Sequence, residues 1–248
     1  MSAATCTAVI LLTNGFEIEA AEVKVMATGH MRAVFNEFGP QIERDTGHKV
    51  VTKIATSQVL KREIDAGEAF DLLISIDSDM ETFGKTGTIV AATRRPIAFA
   101  AVGVGVRTGT AKPDMGSVDA LKRMLLNATS IAYDADGASS VYFKGLLERL
   151  GIAVEMKEKA KPMAGVLKSV ASGESALGIG SIPAILGAPG IELVGAIPAE
   201  LQSYIRLTAG VSTSSREQEA AQTLIKFLAT PAAVVIIKAK GLEPGVPR

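Results

Sequence analysis

The chain of 248 residues has no tryptophan, few aromatic residues of any kind (4%), a single cysteine and no excess charge of either sign. Each shortage excludes something. One cysteine, Cys6, can form neither an internal disulfide nor a cysteine-rich metal site. It also stands too near the start, behind the wrong residues, for a lipoprotein cysteine. Lys plus Arg equals Asp plus Glu, 26 against 26. No basic stripe interleaves with aromatics, so the footprint of a nucleic-acid binder is missing. No apolar window reaches the length of a membrane-spanning helix, and membrane insertion is not expected. The two histidines, His30 and His48, lack a metal-ligand spacing, and there is no HExxH pair. Neither a metal nor a cofactor is expected. "GVGVRTG" lacks the strand–turn–helix context of a phosphate loop, and "GASSV" lacks the second glycine of a nucleophile elbow.

What is present is 48% hydrophobic, in a length that suits one large α/β domain or two small ones. Residues 1–21 admit two readings, a signal peptide or an ordinary N-terminal extension. They hold a short apolar core and the small pair Ala20-Ala21, but no Lys or Arg precedes Lys24, and Glu17 and Glu19 sit where a cleavage region is uncharged. A periplasmic location follows from the first reading and a cytoplasmic one from the second.

From Val23 onward the pattern alternates. Val23–Ala27, Lys49–Ala55 and Leu72–Ile76 read as strands. Between them lie a helix from His30 to about Thr46, closed by Gly47, and a helix Ser57–Ala66, closed by Gly67. Asp77 and Asp79 cap a short helix after the third strand, Arg94-Arg95 reads as a solvated turn, and His48 as solvent-facing. A β-prone run then covers 95–114 without a helix. Alternation resumes with a helix near Val118–Leu126, a strand Ser130–Tyr133, a helix Ser139–Leu150 and a strand Ala153–Met156. A helix Ala164–Ala171, a strand Ala176–Ile179 and a short helix Ile182–Leu186 follow. A second β-prone run spans 191–212, and two helices, Ser215–Ala229 and Ala232–Ala239, close the chain. Continuous apolar strands separated by helices imply mostly parallel sheets covered on both faces.

Two long extended runs between two such patterns imply an α/β fold of two lobes. Residues 22–97 plus 207–246 would form lobe 1 and 98–206 lobe 2, with hinge crossings near 97–106 and 202–210. Open α/β sheets bind ligands beyond the carboxyl ends of their strands, so the cleft between the lobes is the expected site.

Four segments carry a resemblance. "KVMATGHMRAVFNEFGPQIERDTGHKVVTKIATSQVLKREIDAGEAFDLLIS", "SIAYDADGASSVYFKGLLERLGI", "VASGESALGIGSIPAIL" and "REQEAAQTLIKFLATPAAVVIIKAKGLEP" are similar to the type II periplasmic solute-binding proteins. Within these, the molybdate-binding-like substrate-binding proteins of ABC importers are the nearest group. The resemblance spans about residues 22–246. It implies closure of two lobes on a small anion and delivery to importer membrane subunits.

The strand ends agree. Thr28 and Gly29, then Thr56 and Ser57, close two strands where helices begin. Gly137, Ala138, Ser139 and Ser140 form a third junction, Gly180 and Ser181 a fourth, and Ser75 lies in the third strand. Unpaired N–H groups at a helix start, with hydroxyls beside them, suit an oxyanion or a small carboxylate. Each junction is also what a plain N-cap looks like. The resemblance assigns ligand contact to Thr28, Gly29, Thr56 and Ser57. It also marks a departure, because molybdate binders present serine and alanine where this chain has Thr28-Gly29-His30, which argues against molybdate itself. His30 fits a hydrogen bond to a carboxylate, or the acid/base of an isomerase or lyase using the same cleft. Tyr133 and Tyr142 are further candidates for reaching a ligand.

Overall fold

The computed structural model describes residues 20–135 and 138–245, with Ala138 and Ser139 described in backbone only. Cys6, Glu17, Glu19 and Gly137 lie outside the described residues.

Lobe 1 begins with three parallel strands, β1 (Glu22–Thr28), β2 (Lys49–Ala55) and β3 (Leu72–Ile76), in the order β2-β1-β3. Their side chains alternate between two layers. Val23, Val25, Ala27, Leu72 and Ile74 pack on one face against α1 (Arg32–Thr46), α9 (Gln218–Leu228) and α10 (Pro231–Ala239). Met26 and Leu73 point the other way, into a smaller core under α2 (Ser57–Asp65) and α3 (Asp77–Lys85). The alternation follows from the two-residue period of a strand. Gly47, at φ 72°, ends α1 in the left-handed region that only glycine enters cheaply.

Lobe 2 repeats the plan. Its parallel strands β5 (Ile131–Asp134), β6 (Ala160–Met163) and β7 (Leu177–Ser181) run in the order β6-β5-β7. Helices α4 (Val118–Asn127), α5 (Ala138–Arg149) and α6 (Ala153–Met156) cover the face with the larger core. Helices α7 (Val166–Ser172) and α8 (Ile182–Leu186) cover the other.

One strand belongs to both sheets. β4 (Arg95–Arg107) pairs through residues 95–101 with antiparallel β9 (Tyr204–Val211), and with the short β10 (Leu242–Pro244). Through residues 102–107 it pairs with β7 and with β8 (Ile191–Ala196). β9 itself closes lobe 1 by pairing antiparallel with β3. At the changeover, Val102 loses its neighbour on one edge, and the Gln202 amide replaces it. Gln202 Oε1 accepts from Val102 N–H and Nε2 donates to Val102 O, both at 3.0 Å, and Nε2 also donates to Ile197 O at 3.1 Å.

Several local expectations change. Ala153–Met156 is a helical turn and the strand lies at Ala160–Met163. The buried residues Ile152 and Met156 stand four apart, the helical spacing, while Val154 between them is 85% exposed. His48 is buried, not solvent-facing, and its Nδ1 accepts from Ala21 N–H at 3.4 Å. Arg94 is not a solvated turn residue. It donates to Asp77 Oδ1 at 3.1 Å, and Thr208 Oγ1 donates to the same oxygen at 2.7 Å. Tyr133 is a core residue against Phe143, and Tyr142 donates to Leu201 O at 2.5 Å.

Replacing Gln202 with leucine keeps the volume and strips four hydrogen bonds, among them the one that Ser203 N–H donates to Oε1; it orphans the Val102 N–H, while Val102 O keeps Ile197 N–H as a donor. Urea unfolding should show a loss of about 2–4 kcal/mol with an unchanged m-value.

Candidate functional site

The carboxyl ends of β1, β2 and β3 in lobe 1 meet those of β5 and β7 in lobe 2 across a cleft of about 540 Å³. Ile76, at the end of β3, and Ile205, on the crossing strand β9, also line it. The lobe 1 wall carries Thr28, Gly29, His30, Thr56 and Ser57, and the lobe 2 wall carries Gly180 and Ser181. Seven residues singled out in the sequence therefore line one cavity.

Two others do not. Ser75 is 1% exposed and its hydroxyl donates to Asp79 Oδ2 at 3.1 Å, toward α3 and away from the cleft. Burial raises the Asp79 pKa, and this hydrogen bond from Ser75 partly opposes the rise. Ser140 is buried and its Oγ reaches back to Ala135 O at 3.5 Å, inside its own turn. The side chain of Ser139 lies outside the described residues. Arg32, Gln58, Asp134, Gly165 and Lys168, none of them singled out in the sequence, are also part of the lining.

The hydroxyls divide by what already occupies them. Thr56 is the N-cap of α2, and its Oγ1 accepts from Val59 N–H at 3.3 Å. That leaves its own O–H free to donate elsewhere. The α2 ladder starts at Leu60 N–H to Thr56 O, so the N–H groups of Ser57 and Gln58 stand outside it at the positive end of a nine-residue helix. Ser181 precedes α8 but does not cap it, and its hydroxyl makes no hydrogen bond among the described residues although the residue is only 6% exposed. A hydroxyl without a partner among the described residues, on a cavity wall, is a donor available to a guest. Helix α8 has five residues, too few for its dipole to contribute.

His30 sits in the 3-10 turn that follows Thr28, and its Nδ1 lies 3.3 Å from Thr28 Oγ1. Surrounding protein withholds water from the ring, and this desolvation pulls its pKa down from 6.5 to about 4. The imidazole is neutral at pH 7. With Thr28 donating to Nδ1, the proton rides on Nε2, which is then a donor. With Nδ1–H donating to Thr28, Nε2 keeps its lone pair and is a base.

The lowered pKa fixes a pH dependence. Between pH 6.5 and 4 the unfolded chain takes up a proton that folded His30 refuses, so stability falls as pH drops through this window and the loss is complete below 4. Thermal unfolding of His30→Gln should lose less over that interval than the unsubstituted protein, by on the order of 2 kcal/mol, with no such difference developing above pH 6.5.

The profile described as bacterial extracellular solute-binding protein matches residues 23–243. Aconitate isomerase from a Pseudomonas species is 29% identical over 89% of this chain and 87% of its own length. Molybdate-binding protein ModA of Azotobacter vinelandii is 28% identical over 90% of each chain. The solved periplasmic molybdate-binding protein of the same organism superposes with a TM-score of 0.74, covering 91% of this chain and all of that one at 22% identity. The match of 23–243 takes in both sheets, the crossings between them and every residue of the cleft, and the chain belongs to the bacterial extracellular solute-binding proteins.

Proposed function

We propose that the protein captures a small anion, an oxyanion or a small carboxylate, in the interlobe cleft and delivers it to the membrane subunits of an importer from the periplasm. The lobes, residues 22–97 with 207–246 and residues 98–206, would close on the anion by bending at 97–106 and 202–210. The observation that carries this reading is the donor set of the cleft. The Ser181 hydroxyl is without a partner among the described residues, and the Ser57 and Gln58 N–H groups lie outside their helix ladder on the opposite wall. An anion needs donors of this kind, and their placement on both lobes makes binding and closure one event. Thr28, Gly29, His30 and Thr56 complete the lobe 1 side of the proposed site. The named solutes of two relatives, both molybdate, support an anion in general.

A second reading follows from one observation. His30 is a neutral imidazole beside a hydroxyl that can leave its Nε2 unprotonated, which is the state of a general base. The aconitate isomerase relative supports an isomerase on this scaffold, moving a proton α to a carboxylate. In that case His30 removes the proton and the donors of the cleft hold the carboxylates.

A thermal-shift screen separates binding from its absence. A ligand at a hundred times its Kd should add about 2.7 kcal/mol of stability, and Ser57→Ala should reduce affinity by about 1.5–3 kcal/mol if it donates to the charged guest. Proton exchange into small unsaturated carboxylates, followed by NMR, separates the two readings. A pure binder gives none. An isomerase gives exchange that His30→Gln cuts by roughly 10² to 10⁴ while binding persists.

A further inference from the structure

We infer that Arg32 of lobe 1 and Lys168 of lobe 2 form a two-sided cationic clamp, and that the solute is an organic acid with at least two carboxylates rather than an inorganic tetrahedral oxyanion. The inference rests on the proposed anion-binding role and names its ligand class.

Both side chains line the same cleft from opposite walls. Arg32 opens α1, directly after the turn that carries His30, and its guanidinium makes one hydrogen bond, to Ile54 O at 3.3 Å. A guanidinium has five N–H donors, so most of this one stays available to a guest. Lys168 lies in the first turn of α7, and its ammonium makes no ion pair or hydrogen bond among the described residues. Two cations that meet no carboxylate partner among the described residues, one on each wall, are placed to be bridged rather than to pair with protein.

The space and the lining agree with a carbon skeleton between two charges. A cleft of about 540 Å³ lies within the roughly 300–1,000 Å³ that organic ligands occupy. A tetrahedral oxyanion has five heavy atoms and would leave most of that volume to water. The same cleft is lined by Ile76, Val166, Leu167, Ile179 and Ile205, an apolar lining that gains nothing from a bare oxyanion and buries methylene or methine groups favourably. Asp134 shares the lobe 2 wall. His30, neutral at pH 7, adds a hydrogen bond without adding a third charge.

Calorimetry on the full chain with molybdate, tungstate and sulfate, with acetate and lactate, and with succinate, malate and citrate tests this. Di- and tricarboxylates should bind at least about tenfold more tightly than monocarboxylates. Arg32→Gln and Lys168→Met should each weaken the best polycarboxylate by about 10- to 100-fold. Monocarboxylate affinity should change by less than about threefold in at least one of them. Both side chains are exposed, so the melting temperatures without ligand should stay close to that of the parent. Tightest binding of an inorganic oxyanion, unchanged in both variants, would overturn the clamp and leave the anion-binding reading standing. Failure of the parent to bind any anion in the series would overturn both.

Discussion

The two-lobed arrangement depends on carrying one strand out of one sheet and into another without abandoning its backbone. β4 changes partners at Val102, and there the Gln202 side chain supplies both the acceptor and the donor that a neighbouring strand would have given. The strand beyond that point has to be bare. A Cβ on Gly103 would stand 2.9 Å from Gly195 O and from Ile182 Cγ1, and one on Gly105 would stand 3.0 Å from Ile191 Cγ2. Ile182 and Ile185 of α8, with Ile191, Leu193 and the Gly195 carbonyl of β8, press on this face of β4, so glycine is the residue that fits. Because the partner switch falls midway along a thirteen-residue strand, the ends of both parallel sets come to face one another, and the cleft exists.

The cleft owes its chemistry to the same geometry. Parallel strands deliver backbone and small side chains to their carboxyl ends, where the next helix starts. The walls are therefore made of hydroxyls, N–H groups and glycines, with apolar residues from the strands beneath. Such a lining makes water scarce around His30, which is why its ring stays neutral. Asp77 does the complementary work outside the lining. It gathers Arg94, Thr208 and, at 3.6 Å, Arg206 at the junction of β3, β4 and β9, so its charge is spent on holding the crossings together.

Much of this was written plainly in the sequence. The strands Lys49–Ala55 and Leu72–Ile76, and the helix Ile182–Leu186, have the bounds that their apolar spacing implies, because a buried strand or a helix stripe leaves a local signature. The hydroxyl and glycine residues at the strand ends were visible for the same reason, and six of them share the cleft with His30. The failures were of three physical kinds. His48 follows a glycine turn among polar residues, and its burial depends on Ala21, twenty-seven positions away, which no local pattern reveals. The run Ala153–Met156 is too short for its period to declare itself. Taking it for a strand placed the strand end seven residues too early, since β6 closes at Met163. Gly165 and Lys168, which follow the true end, consequently went unnoticed. Ser75 erred differently: a serine in a strand tells nothing of which face it takes, and this one serves α3.

The doubled role of β4 has a kinetic side. Lobe 2 is assembled from one continuous stretch of chain, whereas the sheet of lobe 1 lacks its fourth member until β9 has been made, and its larger core lacks α9 and α10 until nearly the last residue. As the chain leaves the ribosome, the inserted lobe can finish while the first one still presents the open edge of β3. Residues 22–76 must then wait through more than a hundred residues of synthesis with an unpaired strand exposed, the kind of edge that recruits foreign strands. The interval between β3 and β9 is therefore when a nascent chain of this topology is most exposed to aggregation and has most use for a chaperone.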